Sequence, residues 1–176
     1  MAAVPTKVDL KNANLAALLA WAVPGLGHIY QGRVAKGILY SVCIGGLFFV
    51  GMAMGDYKVV YWRWISPMAD PENFRLTYIG QFFVGLAALP GLLQATWHRL
   101  GFGDPILWGY LDAPKPHEVN RLYSSSRLVE VGSLYTVIAG LLNILAIFDA
   151  WEGPALPEGT PAPTTAAVPA AAGAPA

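Results

Sequence analysis

Residues 37–55 run for 19 positions without an acidic or basic side chain, and residues 76–97 and 131–148 do the same over 22 and 18 positions. Runs of this length and apolarity suit helices crossing a hydrocarbon core of about 30 Å at about 1.5 Å per residue. A further run, 12–32, has 21 residues free of Asp, Glu, Lys and Arg, but it carries His28 and the helix-breaking sequence Pro24-Gly25-Leu26-Gly27. Only 12% of the 176 residues are charged and 55% are hydrophobic, against roughly 25% charged in a soluble domain. These features predict an all-α polytopic integral membrane protein. About four transmembrane helices are expected, at 13–32, 37–55, 76–97 and 131–151, with a helical hairpin at the N-terminus. The single membrane domain would cover 1–151, and 152–176, rich in Ala and Pro, would form a disordered tail.

The eleven basic residues balance the eleven acidic ones, so no net field argues for nucleic acid or an anionic partner. Cys43 is the one cysteine, which excludes an intrachain disulfide and reads as a small hydrophobe in a helix. Ala20-Trp21-Ala22 imitates a signal-peptide cleavage site, but the apolar stretch before it, 15–19, is too short for a signal sequence.

The segment from Pro24 to Arg33, with Lys36-Gly37-Ile38-Leu39 after it, resembles the two-transmembrane-helix domain family, in which a Gly-rich helix, a His-x-aromatic-x-Gly knuckle and a polar turn lead into a second helix. It is even more similar to uncharacterised bacterial membrane-protein families, domains of unknown function, whose hairpin reads Pro-Gly-Leu-Gly-His/Gln-x-Tyr. Residues 138–150 resemble the last span of one of these. The resemblance implies a helical hairpin in a membrane, the bacterial inner (plasma) membrane, and no particular chemistry. Ile29 stands where the two-helix family has an arginine, so no role of that arginine carries over.

His28, Tyr30, Gln31 and Arg33 suit a membrane interface, with a polar site lined by His28 and Arg33 as the other reading. Gly37, Ser41 and Gly45 recur every four residues, and Gly132, Thr136, Gly140 and Asn143 share one face of the last run. Small residues so spaced let neighbouring helices approach closely. Asn143 is expected to bond across to another helix, as are Gln81 and Gln94, and Pro90 to kink the third span. Asp149 falls at a helix C-terminus, where the macrodipole disfavours an anion, so it is expected to pair with a basic group such as Arg33 or to sit in water. The aromatics of 56–75 read as an interfacial belt, with a sugar or nucleotide stacking platform as the other reading. His98, His117, Asp104, Asp112 and Glu118 match no closed metal-ligand spacing, and Ser124, Ser125 and Ser126 lack a positioned base.

If all four runs cross, basic residues divide five against six between the two sides. If 12–32 is re-entrant instead, they divide eight against three. Four crossings is the expectation adopted, on the length of the first run. The expected function is that of a non-catalytic membrane protein, a structural or interaction component of an assembly. Its partners would be the lipid bilayer and a membrane protein or second copy, with no cofactor, metal or nucleic acid. The alternative is a small transporter or channel subunit with His28, Gln81, Gln94 and Asn143 along its path.

Overall fold

The computed structural model describes residues 11–66, 68, 70, 74–115, 117–120 and 127–153, among which there are helices and no strand. The expected tail beyond 153 and the Ser124 to Ser126 segment lie outside the described residues. Two of the expected spans form single long helices, α3 (Val34–Met54) and α6 (Leu128–Glu152), both long and apolar enough to cross a membrane. They run antiparallel: Lys36 meets Asp149 near one end, and Gly51 and Gly55 meet Gly132 near the other. A Cβ on Gly132 would overlap the Gly51 carbonyl oxygen, so the backbones touch where side chains are absent.

The other two runs are not single helices. In the first, Asn12 caps α1 (Ala13–Ala22) by accepting a hydrogen bond from the Leu15 N–H at 3.1 Å. Val23 is then extended, the conformation favoured before proline, and Gly25 at φ +86° reverses the chain. α2 (Leu26–Tyr30) returns along α1, so close that a Cβ on Gly27 would overlap the Ala16 carbonyl oxygen. The two ends of this hairpin are tied together where Lys11 Nζ donates to Tyr30 O at 2.6 Å.

The run 76–97 makes a second hairpin, in which α4 (Leu76–Phe82) is followed by a 3-10 turn (Gly85–Ala87) and α5 (Leu89–Arg99). Gly85, at φ +84°, stands at the reversal, and Tyr78 OH donates to Ala88 O at 2.8 Å across the hairpin. Pro90 lies in the first turn of α5, where its missing N–H is harmless, and so starts a helix rather than kinking one.

The hairpins enter from opposite ends of the α3–α6 pair. α1 lies antiparallel to α6, with Asn14 bonded to Trp151 and Ala20 to Asn143. α4 runs parallel to α6, with Gly80 against Gly140 and Phe83 bonded to Asn143. They meet tip to tip, since a Cβ on Gly85 would overlap the Trp21 carbonyl oxygen. Four continuous spans are therefore replaced by two long helices and two short hairpins. The reversals at Gly25 and Gly85 are the physical reason.

Candidate functional site

Polar side chains gather at two levels of the bundle, one at the tips and one at the end where α6 finishes. At the tips, Asn143 is fully buried, and its amide donates to Ala20 O at 3.1 Å and Phe83 O at 2.8 Å. The helical partner of the Ala20 carbonyl would be the N–H of residue 24, but Pro24 has none, so Asn143 supplies the missing donor. Ser41 Oγ does the same for Pro24 O at 2.6 Å. Gln81 donates to Thr136 Oγ1 at 2.8 Å and Val59 O at 3.3 Å, joining α4, α6 and the segment after α3. Beside the tips is a mostly apolar cavity of about 270 Å³, with Val23, Pro24, Ser41, Phe48 and Val84 in its wall.

At the α6 end, Asp149 collects every basic side chain of the knuckle. His28 Nε2 lies 2.7 Å from Oδ2, and because an ionised carboxylate only accepts, that nitrogen carries the hydrogen. Arg33 NH2 lies 3.0 Å from the same oxygen, and Lys36 Nζ lies 2.9 Å from Oδ1 and 2.7 Å from Oδ2. Gln31 Nε2 caps the helix end by donating to Ala150 O at 2.6 Å. The exposed fractions of these side chains, 0% for His28, 3% for Arg33, 19% for Asp149 and 33% for Lys36, put this cluster largely out of water. An anion in the last turn of a helix is unfavourable in isolation. Here the carboxylate is outnumbered by cations, which makes the cluster a lock between the knuckle and α6. His28 also packs edge-on against the Tyr40 ring, with centroids 4.8 Å apart.

Of the residues singled out from sequence, His28, Arg33 and Asp149 come together, Tyr30 closes the first hairpin beside Lys11, and Asn143 lies deeper at the tips. Gly37 and Ser41 face the first hairpin, and Gly132, Thr136 and Gly140 face α3 and α4. Gly45 instead has no neighbour at its missing Cβ. Sequence reading missed Lys36, and it placed Gln31 at the interface without the helix end that it caps. Lys36 is one turn beyond Arg33, the spacing that puts two side chains on one helix face. Gln94 bonds to the loop carbonyl of Ile106, not to a neighbouring helix. His98 Nε2 meets Asp112 Oδ1 at 3.1 Å, but among the described residues no group of three potential ligands forms a metal site.

A sequence profile described as a family of unknown function, DUF6677, matches residues 15–160. The chain belongs to this family. The matched range takes in all but the start of the first hairpin, the whole of the second, both long helices, Asn143 and the whole Asp149 cluster. No curated protein and no solved structure matches the chain.

Proposed function

We propose that this DUF6677 member is an integral membrane protein in which α3 and α6 cross the bilayer and the two hairpins enter from opposite faces without crossing. It acts non-catalytically, as a structural or interaction component of a membrane assembly in the bacterial inner membrane. The observation that carries this reading is the use of the buried amides and hydroxyls. Asn143 and Ser41 are bonded to carbonyls that the helix breaks leave over, as non-helical backbone in a bilayer requires. The exterior agrees, with Leu39, Val42 and Phe49 on α3 and Leu141, Leu145 and Phe148 on α6 all exposed. In this topology the N-terminus, knuckle and tail share one side with four Lys and Arg, against seven on the side of the two long loops. The positive-inside rule then puts the long loops in the cytoplasm. Contact with a partner helix is supported by the open face of α3 around exposed Cys43 and Gly46.

A second reading, a transporter or channel subunit, is favoured by the opposed hairpin tips beside a cavity, because broken helices at membrane depth are where transporters bind solutes. Reconstituted liposomes separate the two. No saturable ion or solute flux above that of protein-free vesicles is expected. A specific flux abolished by Asn143→Leu would establish the second reading in place of the first.

A further inference from the structure

Two cavities share the walls formed by Trp62 and Trp64, at the end of the bundle opposite the Asp149 cluster. The first, an open hollow of about 580 Å³, has the polar side chains Arg63, His98, Arg99 and Asp112 in a wall that is otherwise apolar. The second, of about 230 Å³, exposes no polar surface and runs between α4 and α5 along Tyr78, Ile79, Phe82, Phe83 and Leu92. Trp62 and Trp64 stand edge to face at 6.0 Å between them. His98 and Arg99 end α5, whereas Phe82 and Phe83 lie near its tip-side start, so the apolar trough leads from the bundle end inward.

The charged groups in the wall of the first cavity are more positive than negative. Asp112 is engaged with His98 at 3.1 Å, while the Arg99 guanidinium lies 5.1 Å over the Trp64 ring and meets no carboxylate among the described residues. Arg63 donates to the Pro114 carbonyl at 3.0 Å, a neutral partner, and meets no carboxylate among the described residues. Two guanidinium groups facing one carboxylate favour a compact anion, and guanidinium geometry suits phosphate. A purely aromatic belt would need neither the open hollow nor the two guanidinium groups in its wall.

We propose that these joined cavities hold one anionic phospholipid, its phosphate headgroup against Arg63 and Arg99 and an acyl chain in the trough along Phe82 and Phe83. This rests on the membrane reading above. Trp64 and Ile79, both exposed on the trough, would face surrounding lipid, which gives the acyl chain a lateral way in. The charge excess sets the headgroup preference, and Asp112 opposes it.

The test uses the full-length protein in detergent, with phosphatidylglycerol, phosphatidylcholine or glycerol 3-phosphate added, and bound ligand read by native mass spectrometry. One phosphatidylglycerol per chain is expected, held in preference to phosphatidylcholine, and glycerol 3-phosphate is not retained. Arg99→Gln should weaken phosphatidylglycerol about five-fold, the size of one cation near an anionic headgroup, and Asp112→Asn should strengthen it. Equal retention of the two lipids, or no response to either substitution, overturns the proposal. Retention of glycerol 3-phosphate as strong as that of the lipid would make this a soluble-phosphate site and overturn it too. Failure of the membrane reading shows separately, as release of the protein from membranes by alkaline carbonate.

Discussion

Replacing Asn143 by leucine removes the donor shared by the two hairpins while keeping the branching and the number of side-chain heavy atoms, so no cavity is added to the effect. Two hydrogen bonds are lost, at 3.1 Å to Ala20 O and 2.8 Å to Phe83 O, at a side chain with no exposure. The Ala20 carbonyl has no helical alternative, because residue 24 is proline. Interhelical hydrogen bonds in membrane proteins average about 0.6 kcal/mol, but leaving a buried acceptor unsatisfied costs about 1–3 kcal/mol. Two bonds and at least one orphaned carbonyl give a loss of about 2–4 kcal/mol. Equilibrium unfolding in mixed micelles with increasing sodium dodecyl sulfate measures this, with exposed Leu142→Ala as a control expected within about 0.5 kcal/mol of the parent. A loss for Asn143→Leu no larger than the control's would refute the idea that this amide ties the tips together.

Asp149→Ala removes the carboxylate shared by His28, Arg33 and Lys36 and should cost roughly 2–4 kcal/mol in the same titration, somewhat below a fully buried pair because Asp149 is 19% exposed. Gly85→Ala combines a positive φ with overlap on the Trp21 carbonyl and should lower stability by more than about 2 kcal/mol. Gly46→Ala, in helix with open space at its Cβ, should be neutral or stabilise by up to about 1 kcal/mol. In the long loop, the Lys115 N–H donates to Glu118 Oε2 at 2.9 Å and holds that carboxyl below its ordinary value of 4.5. The turn is therefore strengthened above the unfolded carboxyl's range and loses that support as pH falls through the lowered value. A carboxyl-resolved NMR titration should place Glu118 below an ordinary glutamate, and Lys115→Pro should return it upward.

The two long helices were legible because each is a continuous uncharged run whose ends are marked by charge: Lys36 and Asp56 around the first, Glu130 and Asp149 around the second. The hairpins were legible only as breakers. Pro24-Gly25 marks a point where the chain can turn back, but counting residues against bilayer thickness measures length and not direction, and it favours a crossing. The return is fixed by contacts distant in sequence, such as Lys11 to Tyr30 and Gly27 to Ala16. In the third run Pro90 drew attention as the breaker, whereas the reversal sits at Gly85, one of several glycines there with nothing local to distinguish it. For Asp149 the macrodipole argument demanded either water or a cation, and Arg33 was one of the cations it found. His28 joined the same carboxylate because Gly25 turns α2 back toward the end of α6, a path that spacing alone does not reveal.

Sided labelling of single cysteines in intact and opened membrane vesicles, in a Cys43→Ala background, tests the opposed-hairpin arrangement most directly. Cysteines at Lys11, Val34 and Glu152 should react from one side, and those at Ser66 and Gly103 from the other. Reaction of Lys11 and Val34 from opposite sides would show that the first run crosses, and reaction of Ser66 and Gly103 from opposite sides would show that the third does. Either result would contradict the arrangement.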